Sequence, residues 1–159
     1  YPGIVQMNYM TGELIKSYGN APKMIIAMFD MGGSINTVEF HSEYHGHEDS
    51  PKELLEAIDK LDVDFSPRQI AHVATLSALA NQKLVPKPHL EEIIKYSATL
   101  GALGVNVAHS GTMVGVLFAP DESMKHVMEA VEKIREKFPE LEYFETERLI
   151  SGGYDIEQR

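Results

Sequence analysis

The sequence predicts an α+β domain in which an antiparallel sheet carries helices on one face. Three patterns lead to this fold class: a strand apolar on both sides at residues 23–29, two strands joined by a short polar turn within residues 105–119, and an amphipathic helix at 121–138 followed by a last strand at 141–150. From residue 23 onward the order is strand, helical block, strand, strand, helix, strand. This order is the split β-α-β arrangement of ferredoxin-like folds.

The first 20 residues are predicted to form a hairpin outside this sheet. Two short strand-like stretches, residues 3–9 and 14–18, flank a turn at Thr11 and Gly12. We expect residues 1–20 to be left from, or to link to, a missing N-terminal domain, and residues 21–159 to form the main domain. Because the first residue is Tyr1 and not methionine, the chain is expected to begin inside a longer reading frame.

Three helices are predicted in the block between the first two strands of the sheet, at residues 51–61, 66–84 and 89–100. The second has the clearest start, because Ser66 can cap it and Gln69 can complete a capping box. Gly101 and Gly104 are predicted to end the third helix.

The strand at 23–29 is apolar on both faces and is therefore expected at the centre of the sheet. Asp30, Met31, Gly32 and Gly33 end it. The helix at 121–138 is predicted to be capped by Asp121.

Composition excludes several classes of function. The 159 residues include 24 acidic and 14 basic side chains, a formal net charge of −10, and no cluster of lysine or arginine. We therefore expect neither nucleic acid nor an anionic membrane as a partner. The absence of cysteine excludes disulfides and thiolate metal sites and suits a cytoplasmic protein. The longest apolar run, residues 113–120, is far shorter than the ~20 residues of a membrane helix.

The segment 104–115 is the strongest candidate for chemistry. A strand enters a loop of small and hydroxyl residues, His109-Ser110-Gly111-Thr112, and a second strand leaves it. Successive backbone N–H groups in such a loop can converge on an anion, and the two hydroxyls can add donors. The alternative is that the loop only turns a hairpin, which is a common use of glycine and serine.

This segment resembles the third conserved motif of the GHMP superfamily of small-molecule kinases. Its polar version, Ala108-His109-Ser110-Gly111-Thr112, is similar to the branch that phosphorylates L-threonine for cobalamin biosynthesis. Asp30-x-Gly32-Gly33 followed by Thr37 also resembles that branch. The resemblance covers most of the chain and implies that residues 21–159 are a GHMP kinase C-terminal-type domain.

The resemblance also implies a function. The full-length enzyme would use ATP and Mg²⁺ to phosphorylate the hydroxyl of L-threonine or a similar small metabolite. Nothing in the chain matches the glycine-rich ATP loop of the N-terminal half, so the chain alone is expected to be inactive, to bind no cofactor and to hold no catalytic residue. The residues expected to bind substrate or phosphate are Asp30, Gly32, Gly33, Asn106, His109, Ser110, Gly111 and Thr112.

Several alternatives stay open for these residues. Asp30 could accept a hydrogen bond from the acceptor's ammonium or hydroxyl group, or it could only form a turn. Asn106 could point into a cleft or off the polar face of the sheet. The whole domain could instead be a ferredoxin-like module that senses an amino acid or oligomerises, and a homodimer is one arrangement it could adopt.

A second cluster, His41, His45, His47 and Asp49, contains side chains that can bind Zn²⁺ or Ni²⁺. The segment has no helical apolar spacing to preorganise it, so a solvated loop is the preferred interpretation and no metal site is predicted.

Overall fold

The computed structural model describes residues 3–7, 11–33, 51–82, 85–108 and 111–151. The strands in these ranges are β1 (Ile4–Met7), β2 (Leu14–Gly19), β3 (Met24–Asp30), β4 (Gly104–Val107), β5 (Met113–Phe118) and β6 (Glu142–Leu149). The helices are α1 (Lys52–Asp59), continued by a 3₁₀ turn (Lys60–Asp62), then α2 (Pro67–Asn81), α3 (Leu90–Thr99) and α4 (Met124–Lys137).

The main sheet has four antiparallel-paired strands in the order β4-β5-β3-β6. The strand predicted to be central, β3, lies between β5 and β6, as its apolar character on both faces requires. Numbered within the sheet, this is the order 2-3-1-4, which confirms the predicted split β-α-β fold. At one end of the sheet, Asp30 is opposite Met113 on one side and Glu142 on the other.

One face of the sheet carries the main core. Ile25, Ala27 and Phe29 point from β3 into a cluster that includes Ile93 of α3 and Val131 of α4. All five side chains are fully buried. Burying an aliphatic or aromatic side chain of this size stabilises the fold by roughly 1.5–3 kcal/mol, so this packing fixes the sheet against the two helices.

The opposite face carries a smaller cluster. Met24 and Leu117 pack there against Ala71 of α2, with Ile26 and Ile70 partly buried beside them. Helix α2 contributes to both clusters because its Ala78 belongs to the main core. It therefore lies along the β4 edge of the sheet, whereas α3 and α4 lie on one face as predicted.

A side chain of helix α2 also satisfies a backbone N–H group of this edge strand. The Thr75 hydroxyl accepts from the backbone N–H of Val105 at 2.9 Å and donates to the Ala71 carbonyl at 2.8 Å. An N–H that would otherwise be open on an edge strand is thus satisfied by a helix side chain. The approach is so close that no side chain fits at Gly104.

The predicted N-terminal hairpin is confirmed as a separate two-stranded sheet of β1 and β2. It is held to the segment after α1 by an ion pair between Lys16 and Asp62 and by stacking of Tyr18 on Phe65, with ring centroids 5.9 Å apart.

The helix starts partly follow the sequence prediction. Ser66 caps α2 by accepting from the N–H of Gln69 at 3.2 Å. The Gln69 side chain does not complete a capping box, since its Nε2 donates to the Ala57 carbonyl at 2.9 Å and ties α1 to α2. Asp121 was the wrong cap for α4, because the helix begins later and Ser123 accepts from His126 N–H at 3.1 Å.

Candidate functional site

The candidate site lies at the end of the sheet where β3 stops and β5 begins. The N–H of Met31 donates to the Thr112 carbonyl at 3.1 Å, and the N–H of Ala108 donates to the Met113 carbonyl at 2.9 Å. The first bond joins the Asp30–Gly33 turn to the loop between β4 and β5, and the second closes the β4–β5 hairpin at the base of that loop. The two segments singled out in the sequence are therefore neighbours in space.

The Asp30 carboxylate accepts hydrogen bonds from both segments at this end. Its Oδ1 accepts from the N–H of Gly32 at 2.9 Å, and the Thr112 hydroxyl donates to the same carboxylate. These two donors, the Thr112 hydroxyl first, hold the pKa of Asp30 below its usual value. The structure thus gives Asp30 a turn-forming role, and its carboxylate stays ionised at neutral pH.

The turn itself needs its two glycines. Gly32 has φ +71° and Gly33 has φ +85°, both in the left-handed region that side chains disfavour. Within the described ranges, neither has another atom within 4 Å of where a Cβ would lie.

We expect Asp30→Asn to lower the stability of the domain at neutral pH. A carboxyl whose folded pKa is depressed stabilises the fold above its unfolded pKa of ~3.9, and that stabilisation disappears as the pH falls through the folded pKa. Urea denaturation at pH ~7 should therefore separate the wild-type protein from the variant, and the two should converge at pH ~2. A difference that stays constant over this range would contradict the assigned role of the charge.

Asn106 lies on the same face of the sheet as Asp30, one step further along. It is opposite Gly115 on β5, and Gly115 is opposite Met28 on β3. Two residues of strand separate Gly115 from Met113, which is a distance of about 7 Å. The Asn106 carboxamide lies directly over Gly115, where its Oδ1 overlaps the position that a Cβ would take.

The Oδ1 atom of Asn106 is buried and has no hydrogen-bond partner within the described ranges. A buried amide oxygen without a partner costs roughly 1–3 kcal/mol. This unsatisfied acceptor lies on the face of the sheet that carries Asp30, covered by protein atoms. Asn106 therefore lies on the sheet, over its face, and not in the loop.

Only some of the other predicted site residues lie in the described part of the chain. Gly111 lies beside Ala108, on the loop between β4 and β5. His109 and Ser110 lie outside the described residues, as do His41, His45, His47 and Asp49. Among residues 3–7, 11–33, 51–82, 85–108 and 111–151, no group of three or more His, Asp or Glu side chains could hold a metal ion.

Two residues of interest were missed in the sequence. A single glycine in an apolar strand, Gly115, indicates a close approach of another group, and that signal was present. Lys87 gave no signal, because a lysine between two prolines is typical of an exposed loop. No helix in the described part of the chain is long and apolar enough to cross a membrane.

A sheet of this order occurs in proteins of many functions, so the class of protein is decided by the comparison of sequences. The family described as "GHMP kinases C terminal" matches residues 54–137, which is more than half of the chain. The chain therefore belongs to the GHMP kinase family, in the part that forms its C-terminal domain.

Two curated relatives have the same name. The chain is 24% identical over 147 residues to an L-threonine kinase from Citrobacter freundii, and the match covers 86% of this chain and 49% of the relative. It is 40% identical over 52 residues to an L-threonine kinase from Salmonella typhimurium, covering 33% of this chain and 17% of the relative. The chain thus spans about half the length of the Citrobacter relative.

The fold is similar to that of a solved kinase. Mevalonate kinase from L. major, crystallised with R-mevalonate, superimposes with a TM-score of 0.67 at 14% identity. The match covers 94% of this chain and 49% of that one. At this identity the likeness supports the fold alone.

Proposed function

We propose that this chain is the C-terminal half of an ATP-dependent kinase that phosphorylates the hydroxyl group of L-threonine or a closely similar hydroxylated amino acid, for cobalamin biosynthesis. The observation that carries the proposal is the match to an L-threonine kinase along 86% of the chain. A match of this extent includes both segments of the candidate site, the Asp30–Gly33 turn and the loop between β4 and β5. In this proposal residues 1–20 connect to the N-terminal half, and residues 21–159 form one wall of the cleft. The catalytic residues belong to the other half.

The geometry suggests how this wall contributes. Phosphoryl transfer is catalysed mainly by positioning and by stabilising charge. The loop His109–Thr112 would supply backbone N–H groups to a phosphate or to the acceptor, held in place by the Thr112–Asp30 and Thr112–Met31 contacts. The turn at Gly32 and Gly33 would let the acceptor approach the backbone closely.

ATP and Mg²⁺ belong to the assembled enzyme in this proposal. GHMP kinases use ATP, and Mg²⁺ prefers carboxylate and phosphate oxygens with several waters. Because Mg²⁺ prefers phosphate oxygens, we assign the metal to the nucleotide phosphates and, with them, to the N-terminal half. A small-molecule partner in the cytoplasm, without nucleic acid or membrane, agrees with the acidic composition.

The test is a phosphorylation assay on the product of the complete reading frame with Mg-ATP. L-threonine, L-serine, L-homoserine and mevalonate are offered separately, and the phosphorylated products are identified. We expect O-phospho-L-threonine to form with the highest kcat/KM, and residues 1–159 alone to produce none. Turnover by residues 1–159 alone would contradict the assignment of the catalytic residues to the N-terminal half. If none of the four acceptors is phosphorylated, a sensing or oligomerisation module is favoured.

Thr112→Val in the complete protein tests the loop. The variant keeps the shape but loses the hydroxyl that fixes the loop to Asp30, so kcat/KM should fall by roughly 10- to 100-fold. Thr112→Ser should retain most activity, and Thr99→Val, at an exposed position on α3, is the matched control. Unchanged kinetics in Thr112→Val would remove this contact from the site.

A further inference from the structure

A lysine is buried in the connection between α2 and α3. Only 5% of the Lys87 surface is exposed, and Val85 and Leu90 are buried on the same side of the connection. The prolines on either side, Pro86 and Pro88, are exposed. Lys87 therefore occupies an inward position that an apolar residue would ordinarily take.

The backbone of Lys87 is held on both sides by one side chain. The Lys87 N–H donates to Oε1 of Gln82 at 2.5 Å, and Nε2 of Gln82 donates to the Lys87 carbonyl at 3.0 Å. These two hydrogen bonds to the end of α2 therefore hold the Lys87 backbone in one position. The side chain that starts from it is buried up to its ammonium.

The Lys87 ammonium is buried without a partner. Its Nζ has no hydrogen bond within the described ranges. Other lysines of this acidic chain do have carboxylates nearby: Lys52 Nζ is 3.4 Å from Glu56, and Lys95 Nζ is 3.6 Å from Glu91. Burial lowers the pKa of Lys87. Removing one partner of a buried ion pair is strongly destabilising, so an unpaired buried ammonium favours binding of an anion.

The segment that follows Lys87 leads to the Asp30 end of the sheet. Two residues beyond it, the His89 ring is 6.4 Å from the Phe138 ring, and His89 Nε2 is 3.9 Å from a carboxylate oxygen of Glu140. The chain then enters β6 at Glu142, which is opposite Asp30. His89, at the end of the connection that carries Lys87, therefore lies beside the turn that leads into β6 at the Asp30 end.

We propose that Lys87 binds an oxyanion of a ligand at this end of the sheet: either the carboxylate of the amino-acid acceptor or a phosphate of the nucleotide. The inference rests on the proposed function for the identity of these ligands. An ammonium is a compact charge with three donors, suited to either oxyanion. The described residues around Asp30 offer carboxylates and hydroxyls. Lys137 also carries a positive charge at this end, but it is exposed over the Phe138 ring, whereas the Lys87 ammonium is buried.

The experiment compares Lys87→Met with the wild-type complete protein, using L-threonine, L-threoninol and ATP as varied substrates. L-threoninol keeps the ammonium, the secondary hydroxyl and the methyl group of L-threonine. A CH₂OH group replaces its carboxylate. Lys95→Met, at an exposed position on α3, is the matched control. Thermal unfolding of each variant is measured with and without inorganic phosphate. Because methionine has a similar volume and no charge, Lys87→Met is expected to fold and to have an equal or higher Tm.

A carboxylate ligand predicts a rise of roughly 10- to 100-fold in KM for L-threonine, with KM for L-threoninol and ATP unchanged. A phosphate ligand predicts the same rise in KM for ATP and loss of the Tm increase that phosphate gives the wild type. If all three KM values and the phosphate effect match the wild type, the inference is wrong. If the wild type phosphorylates none of the acceptors, the proposed function fails, and the phosphate effect on Tm alone then decides whether Lys87 binds an oxyanion.

Discussion

Replacing Gly104 by alanine is expected to destabilise the domain by about 3–5 kcal/mol, or to prevent folding. A Cβ at this position would overlap the Ala71 carbonyl oxygen and would lie 2.5 Å from Thr75 Oγ1. Overpacking costs roughly 1–3 kcal/mol, and separating α2 from β4 would also leave the buried N–H of Val105 without its partner at a further ~1–3 kcal/mol. Domains of this size have ~5–15 kcal/mol in total.

Urea denaturation followed by circular dichroism measures this effect. Gly12→Ala is the control. Gly12 has φ +70° and no atom of a described residue within 4 Å of a Cβ, so the expected penalty is that of the backbone conformation, about 1–2 kcal/mol. Adding Thr75→Ala to Gly104→Ala should not restore stability, because the backbone of Ala71 still blocks the Cβ. Recovery in that double variant would show that the side chain, and not the helix backbone, sets the distance.

The role of Gly104 marks a limit of prediction from sequence. Gly101 and Gly104 were both interpreted as signals that α3 ends, and this is right for Gly101, whose φ is +88°. Gly104 is instead the first residue of β4 and is required by the approach of α2. Local rules identify glycines that need a positive φ, but a glycine needed for a close contact is explained only by a distant element.

The fold itself was predictable because its strands and helices have clear periodicity and order. What failed were choices that depend on tertiary contacts or on small shifts of a boundary. Gln69 reaches Ala57 in place of its own helix start, and Ser123 replaces Asp121 as cap because α4 begins at Met124. Each alternative satisfies a backbone group, so sequence alone could not decide between them.

The candidate site was likewise predictable from the sequence only in part. That Asp30 and Thr112 would meet follows from pairing β3 with β5, which the element order implies. The burial of Lys87 does not follow from any local pattern, because it depends on the Gln82 side chain holding the connection inward. Charged residues at buried positions become visible only when the packing around them is known.

The second large effect is expected at Gly115, where the obstacle is a side chain. A Cβ there would overlap Asn106 Oδ1 and would lie 3.0 Å from Ile26 Cγ2. Gly115→Ala should therefore push the Asn106 carboxamide off its position and cost roughly 1–3 kcal/mol of stability. In the complete enzyme we also expect kcat/KM to fall by roughly 10- to 100-fold if Asn106 accepts a hydrogen bond from the substrate.

A double-mutant cycle separates these two consequences. Asn106→Ala removes a buried oxygen that has no described partner, so it should cost little stability while losing the same activity as Gly115→Ala. The double variant should then regain most of the stability lost in Gly115→Ala, and its kcat/KM should be no lower than that of either single variant. Ile26→Ala in the Gly115→Ala background is the control, since it removes the Cγ2 atom of the other contact and leaves Asn106 displaced. Additive losses of activity would mean that Gly115 and Asn106 act separately, and that the unsatisfied amide oxygen does not contact the substrate.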